Sequence, residues 1–268
     1  MRRYIYLFAV AILFASCGEY NRILKSTDYE TKYQYAKKYF NAGKFDRSAT
    51  LLEELVTLFK GTAYAEESLY LLAQSYYGQK DYVTAASYFD TYSSSYPKGE
   101  YTQLARFYSG YGLYLDSPDV RLDQKQTYDA IAKMQLFLEY YPQSERAAEA
   151  QKILFELQEK LAYKELLAAR LYYNLGAYMG NNYESCVITS QNAMKMYPYT
   201  KYREELMYLT LRAKHELATK SVEEKLQVRY RDVIDEYYNY LNEYPEGKYR
   251  KQVEKFFEYS NKRIKEGY

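Results

Sequence analysis

Tyr96-Pro97-Lys98-Gly99-Glu100-Tyr101 is the stretch that decides the fold, because versions of it return at three later points of the chain. The later copies are Tyr141-Pro142-Gln143-Ser144, Tyr197-Pro198-Tyr199-Thr200-Lys201-Tyr202 and Tyr244-Pro245-Glu246-Gly247-Lys248-Tyr249. A proline after an apolar helical pattern ends that helix, and a small or capping residue lets the next one begin. A fifth copy, Phe59-Lys60-Gly61-Thr62-Ala63-Tyr64, lacks the proline. The stretch therefore predicts an all-α chain of helical repeats.

Composition agrees with a helical array. The 268 residues include only 11 Gly and 5 Pro, and 48% of them are hydrophobic. Tyrosine is unusually common, with 39 copies against 11 Phe and no Trp. A tyrosine packs its ring while its hydroxyl stays in contact with water, which suits thin layers of two helices.

The spacing of small and aromatic residues resembles the consensus of the tetratricopeptide repeat (TPR). The best copy consists of Ala73, Tyr76, Tyr82, Ala85, Phe89, Tyr92 and Pro97. The equivalent residues one repeat earlier are Ala36, Tyr39, Phe45, Ser48, Leu52, Leu55 and Lys60. The interval is 37 residues from Lys60 to Pro97, then 45, 56 and 47 to the later prolines. We expect a TPR solenoid of about five helix pairs with a C-terminal capping helix.

The intervals divide this array into residues 28–142, with repeats 1–3, and residues 143–268, with repeats 4–5 and the cap. Thr27-Asp28-Tyr29-Glu30 has the spacing of a capping box and opens the first helix. No Gly or Pro interrupts residues 143–175, so this segment forms one long helix or a kinked pair. Lys248–Lys265 predicts a charged last helix that caps the array.

Residues 1–17 have the pattern of a targeting segment. Arg2 and Arg3 precede an apolar run from Tyr4 to Ala15, which is too short to span a bilayer. The ending Ala15-Ser16-Cys17 resembles a bacterial lipobox, although Phe14 stands where leucine is usual. We expect residues 1–16 to be a lipoprotein signal peptide and residues 17–27 a lipidated tether. An ordinary signal peptide with an incidental cysteine is the alternative.

The lipobox resemblance implies a covalent N-acyl (palmitate-type) and diacylglycerol lipid on Cys17. Gly18, rather than Asp, follows the cysteine. By resemblance to Gram-negative sorting rules, this indicates the outer membrane, with the protein on its periplasmic face.

Charge and reactive residues argue against several classes of function. The formal net charge is +2, and removal of Arg2 and Arg3 with the signal leaves 35 basic and 35 acidic residues, so nucleic acid is not an expected partner. The single histidine, His215, excludes a multi-histidine metal site, and Cys186 falls where the repeat places a small packed residue. No phosphate-binding loop occurs. We expect a protein that is not an enzyme and needs no metal or cofactor.

The TPR resemblance implies that the first helix of each pair lines a concave groove. By that resemblance, the groove residues are Tyr33, Lys37, Phe40, Tyr70, Gln74 and Tyr77. The Lys and Asn pair that clamps a terminal carboxylate in some TPR proteins is missing. An aromatic groove would suit an extended peptide with alternating apolar side chains.

The order of lipobox, two regular repeats, a looped third, a long unbroken segment and a terminal pair resembles the BamD family of the outer-membrane beta-barrel assembly machinery. This resemblance implies a scaffold whose C-terminal half binds the barrel-inserting (BamA-like) subunit and whose N-terminal repeats bind unfolded outer-membrane proteins. Two other classes stay open at this point. One is a TPR lipoprotein for envelope maintenance or cell division, and the other is a glycan-binding surface lipoprotein.

Overall fold

A computed structural model describes residues 18–265, in which every regular element is a helix. The helices are α1 (residues 18–24 as described), α2 (Tyr29–Asn41), α3 (Phe45–Leu58), α4 (Ala65–Gly78), α5 (Tyr82–Ser95), α6 (Thr102–Leu115), α7 (Lys125–Tyr140), α8 (Ala147–Leu175), α9 (Asn182–Met196), α10 (Arg203–Thr219), α11 (Glu223–Glu243) and α12 (Arg250–Lys265). The five pairs from α2 to α11 and the final α12 confirm the predicted TPR-like solenoid. Cys17 and the predicted signal peptide lie outside the described residues.

The described chain forms two compact units. The first contains the residues up to Pro118 together with Gln124–Leu154, and the second contains Asp119–Asp123 and the residues from Phe155 onward. Consecutive helices pack against each other from α2 to α7 in the first unit and from α9 to α12 in the second. The segment without Gly or Pro forms the single 29-residue helix α8, which decides between the two readings of residues 143–175.

The Tyr-Pro stretches end helices as predicted. The residues that end α5, α7, α9 and α11 are Tyr96, Tyr141, Tyr197 and Tyr244. Their φ lies between −132° and −126° and their ψ between 58° and 67°, because a following proline excludes the helical conformation. Phe59, with no proline after it, stays at φ −85° and ψ 2°. Proline therefore determines the sharpness of these helix ends.

Every one of these turns uses the same hydrogen bond. The N–H of the small residue donates to the carbonyl of the aromatic residue three positions earlier, at 2.9 to 3.2 Å. The five donor residues are Thr62, Gly99, Ser144, Thr200 and Gly247. The copy without proline thus keeps the same turn, because it retains the aromatic residue and the small residue that form this hydrogen bond.

The small residues of the TPR pattern lie where helices approach most closely. Ala36, Ala73 and Ala85 are all 0% exposed. The Ser48 hydroxyl donates to the Ala36 carbonyl at 3.0 Å and accepts from the Ser75 hydroxyl at 3.1 Å. Small side chains allow this approach, and the buried hydroxyls are satisfied inside the contact.

The start of the array differs from the prediction in two ways. Asp28, not Thr27, caps α2, and its carboxylate accepts from the Thr31 N–H at 3.0 Å. The described part of the expected tether is helical over residues 18–24, and Ile23 is 4% exposed in the core of the first pair. The apolar side chains of this short segment have a core to join, so it packs instead of remaining extended.

Candidate binding surface of the first three helix pairs

The first helices of the pairs in the first unit carry the predicted groove residues. Helix α2 contacts α4 directly, although α3 lies between them in the chain. First helices of neighbouring pairs therefore approach each other, as expected on the inner side of a TPR array. Tyr33, Lys37 and Phe40 lie on α2, and the remaining three residues lie on α4.

Tyr33 and Lys37 are joined through one carboxylate of α4. The Tyr33 hydroxyl and the Lys37 ammonium each donate to Glu67 at 2.5 Å. The Tyr33 ring is 1% exposed, and its burial raises the pKa of its hydroxyl. Burial acts to raise the pKa of Glu67, but the hydrogen bonds from Lys37 and Tyr33 outweigh it and the pKa is lowered. A ligand on this part of the surface would meet the half-exposed Lys37–Glu67 pair rather than the ring of Tyr33.

Phe40 lies at the end of α2, away from this pair. Its ring meets that of Phe45 edge to face with 5.5 Å between the centroids. Phe45 also lies against Gly78 at the end of α4, where a Cβ atom would collide with its ring. The structure thus uses the aromatic pair to join the first two helix pairs at one end.

Tyr70 and Gln74 are neighbours on α4. The Gln74 amide donates to the Tyr70 hydroxyl at 3.0 Å, and burial raises the pKa of Tyr70 to about 12. The Tyr70 ring stacks on Tyr101 with a centroid distance of 4.3 Å and an interplanar angle of 10°. Tyr101 is the last residue of the first Tyr-Pro stretch, so the turn places a ring beside the predicted groove.

This contact between rings recurs along the chain, stacked in three copies and tilted in the first. The last residue of each Tyr-Pro stretch lies against an aromatic residue of the first helix before it, in the pairs Tyr64–Tyr33, Tyr101–Tyr70, Tyr202–Tyr163 and Tyr249–Tyr208. In the third copy Arg146 replaces the tyrosine, and its guanidinium lies 4.7 Å from the Phe107 centroid. A cation over a ring keeps the contact and places a guanidinium where the other copies carry a second ring.

Tyr77 belongs to a row of rings that the sequence reasoning missed. It meets Tyr108 of α6 edge to face at 5.3 Å, and Tyr108 lies 6.5 Å from Tyr111. Arg146 lies 5.4 Å from the Tyr108 ring. We call the half-buried rings of Tyr70, Tyr77, Tyr101, Tyr108 and Tyr111 the aromatic surface. The spacing of Tyr108, Tyr111 and Tyr114 on one helix could have identified it.

An open cleft of about 710 Å³ adjoins Arg146. Its lining includes Glu100, Gln103 and the third Tyr-Pro stretch, residues 141–146. The Gln103 amide donates to the Ser144 hydroxyl at 2.5 Å and ties α6 to that stretch. The cleft provides polar side chains next to the aromatic surface.

The potentially reactive side chains of Cys186 and His215 are packed against other residues. Cys186 is a buried free thiol, and burial raises its pKa to about 11. His215 is half-buried beside Phe256, with 4.6 Å between ring centroids. Within residues 18–265, no group of His, Cys, Asp and Glu could hold a metal ion. In the same part of the chain, no helix combines the length and apolar character that crossing a membrane requires.

The sequence matches the family described as "Outer membrane lipoprotein", YfiO, over residues 26–227. The chain belongs to this family. A relative of this YfiO protein is the "Outer membrane protein assembly factor BamD" of Neisseria meningitidis serogroup B (strain ATCC BAA-335 / MC58). The two are 24% identical over 194 residues, which cover 69% of this chain and 71% of the relative. The resemblance to the BamD family is thereby confirmed, and the YfiO match includes the whole aromatic surface.

Proposed function

We propose that this YfiO-family protein is a non-catalytic, lipid-anchored scaffold of the outer-membrane beta-barrel assembly machinery, held on the periplasmic face of the membrane. In this proposal its first unit binds unfolded outer-membrane proteins through the aromatic surface. The observation that carries the proposal is the row of half-buried rings from Tyr70 to Tyr111 in a chain related to an assembly factor.

The proposed ligand is an extended segment with alternating apolar or aromatic side chains, as in a strand of a membrane barrel. Such a segment presents a side chain about every 7 Å on one face. The rings of the aromatic surface lie 4.3 to 6.5 Å from their neighbours, so successive side chains could each meet a ring. Gln74, Lys37 and Arg146 supply polar groups beside the rings for the peptide backbone or a terminal carboxylate.

Binding of a fluorescent peptide from a C-terminal barrel strand tests this proposal. Replacement of Tyr77 and Tyr111 by Ala should weaken binding about tenfold or more, since central aromatic residues dominate such interfaces. Tyr128→Ala is the matched control, because Tyr128 lies on α7 and is already 51% exposed. Unchanged affinity in a folded double variant would remove the aromatic surface from the proposal. The Tyr33→Ala and Tyr70→Ala pair tests the original groove prediction in the same assay.

The second proposed partner is the barrel-inserting (BamA-like) subunit, bound through the C-terminal half. It is supported by the relationship to an assembly factor and by the elaboration of repeats 4 and 5. Crosslinking in membranes followed by purification of the tagged protein should recover that subunit. Recovery of division proteins or sugar transporters instead would favour one of the two alternative classes of lipoprotein.

Acylation of Cys17 completes the proposal. Mass spectrometry of the N-terminal peptide should show a diacylglycerol and an N-acyl chain on Cys17, with residues 1–16 removed. Cys17→Ser should move the protein from the membrane fraction to the periplasmic fraction, because several acyl chains are needed for stable anchoring. An unmodified Cys17 in membrane-bound protein would contradict the lipid anchor.

A further inference from the structure

Helix α1 is firmly attached to the first repeat although it follows Cys17 directly. Ile23 is 4% exposed, the Tyr20 ring meets that of Tyr39 at 5.7 Å, and the Tyr35 hydroxyl donates to Glu19 at 2.8 Å. Whatever holds Cys17 at a membrane therefore holds this side of the repeat near the membrane as well.

Lys32 strengthens this attachment from inside the protein. It is 1% exposed, and its ammonium donates to the Leu24 carbonyl at 3.1 Å and to Glu54 at 2.7 Å. A buried lysine is stable only when it is paired, so the end of α1 supplies part of what Lys32 requires. The orientation of α1 on the repeat is thus determined by the hydrogen bond from the buried Lys32 ammonium to the Leu24 carbonyl as well as by apolar packing.

Cations gather around the tyrosines on this side. Lys38 lies 4.8 Å from the Tyr35 ring and 3.7 Å from Glu19. The remaining contacts in the group are Lys44 at 6.0 Å from the Tyr39 ring, Arg47 at 5.0 Å from the Tyr20 ring, and Arg22 acting electrostatically on Glu19. We call Arg22, Lys38, Lys44 and Arg47 the basic face. Glu19 and Asp46 are the acidic residues adjacent to it in the sequence.

We propose that the basic face rests on the anionic phospholipid surface of the membrane and orients the first unit there. The inference rests on the proposed acylation of Cys17, which is two residues from Glu19 and three from Tyr20. Even a fully extended chain would cover no more than roughly 7 to 10 Å over that distance, and the helical residues from Gly18 onward cover less, so the separation is at most comparable to a Debye length of about 8 Å at physiological salt. The anchor thus holds these cations within reach of the headgroup charge.

The whole chain is almost neutral, so any preference for anionic lipid must come from a local group of charges. Tyr20 and Tyr35 are half-buried within the basic face, and tyrosine is a side chain that membrane interfaces favour. One acyl chain alone gives marginal, reversible binding, whereas a basic patch beside it adds a second signal. The basic face would supply that second signal close to the anchor.

The test uses the chain from Cys17 to Tyr268 with a single tetradecyl chain attached to Cys17 by a maleimide. Cys186 should not react, because it is buried and its pKa is raised to about 11. Sedimentation with vesicles of phosphatidylcholine containing about a third phosphatidylglycerol then measures binding in the reversible range. Vesicles of phosphatidylcholine alone measure the contribution of the acyl chain.

Lys38→Gln with Lys44→Gln should weaken binding to the phosphatidylglycerol vesicles about 30-fold, at about fivefold for each cation near an anionic surface. Binding to pure phosphatidylcholine should not change. Lys251→Gln with Lys255→Gln on α12 is the control, because it alters the net charge equally at exposed positions. The inference would be overturned if both double variants lost the same affinity for phosphatidylglycerol vesicles. It would also be overturned if the parent chain bound these vesicles no better than vesicles of phosphatidylcholine alone. The attached chain replaces natural acylation, so failure of the lipoprotein proposal would be seen separately, in the N-terminal mass.

Discussion

The hydroxyl groups of Tyr92 and Tyr240 perform the same task in two repeats. Both residues are 0% exposed. The Tyr92 hydroxyl donates to Glu66 at 2.5 Å and accepts from the Tyr101 N–H at 3.1 Å. The Tyr240 hydroxyl donates to Glu204 at 2.7 Å and accepts from the Tyr249 N–H at 3.1 Å. Each hydroxyl therefore connects a Tyr-Pro turn to a carboxylate on the preceding first helix.

Removal of either hydroxyl should leave a partly buried N–H and a carboxylate without this partner. We expect Tyr92→Phe and Tyr240→Phe each to lower the free energy of unfolding by about 1–3 kcal/mol, measured by urea denaturation. Tyr128→Phe, which alters a residue that is 51% exposed, should change it by less than about 0.5 kcal/mol. Equal stability of all three variants would show that the network contributes nothing.

His215 makes stability depend on pH in a range where no other side chain ordinarily titrates. Burial lowers its pKa, and Glu216 opposes this only in part. Below about pH 6.5 the unfolded chain binds a proton that the folded chain resists, so stability should fall as the pH falls from there. Thermal unfolding between pH 7.5 and 5.5 measures this slope.

His215→Phe is the matching variant, because its ring can occupy the same place between Phe256 and Tyr259. It should flatten the slope between pH 7.5 and 5.5, since His215 is the only histidine of the chain. An unchanged slope would assign the pH dependence to carboxylates instead.

Within one Tyr-Pro turn, the residue type at the small position depends on the side chain of the second helix that packs against it. A Cβ on Gly99 would collide with the Glu66 carboxylate and lie 2.7 Å from the Tyr92 hydroxyl, and a Cβ on Gly247 would likewise collide with Tyr240 and Glu204. Ser144 and Thr200 occupy the same position where the second helix carries Phe137 or Ala193 instead of that tyrosine. Glycine therefore accompanies the buried hydroxyl in these turns.

Gly99→Ala should destabilise the first unit by about 1–3 kcal/mol through overpacking. Lys98→Ala, at an exposed position in the same turn, is the control. In a Tyr92→Phe background the cost of Gly99→Ala should shrink, because one of the two oxygens that the new methyl group meets is gone and the Glu66 carboxylate loses the hydroxyl that holds it there. Strictly additive effects in this double-mutant cycle would argue against the collision.

The helix ends could be predicted because a proline acts on the residue before it, whatever the tertiary context. Burial within the groove could not be predicted in this way. Tyr33 and Tyr70 hold equivalent positions 37 residues apart, yet Tyr33 is 1% exposed and Tyr70 is half-buried. Both rings have aromatic neighbours, with Phe59 and Tyr64 on Tyr33 and three further rings on Tyr70, so the equivalent position in the repeat does not determine the exposure. Helix α1 was missed because it belongs to no repeat.

At the scale of the whole array, α12 closes the exposed end of the second unit. Its Val253 is 0% exposed, and its Phe257 stacks on Tyr237 of α11 with 4.4 Å between centroids. The opposite side carries exposed charges such as Lys251 and Lys255. The capping helix predicted for this end therefore gives the last repeat an apolar partner and presents a polar surface to water.

Loss of this cap should affect assembly as well as stability. A chain ending at Tyr249 uncovers the apolar side of α11, including Tyr237 and Val233, and exposed patches of this kind promote association. We expect it to self-associate during size-exclusion chromatography and to unfold less cooperatively than the full chain.

Val253→Asp tests the same cap without altering the length of the chain. A charge at this fully buried position should destabilise the second unit by more than about 3 kcal/mol, because the carboxylate would have no partner in an apolar cluster. Lys255→Asp places the same side chain on the exposed side of α12 and should be nearly neutral. The truncated chain and Val253→Asp could instead both stay monomeric and show the same unfolding transition as the parent chain. In that case α12 would not cap the array, and the last repeat would have to be stable with its apolar side in water.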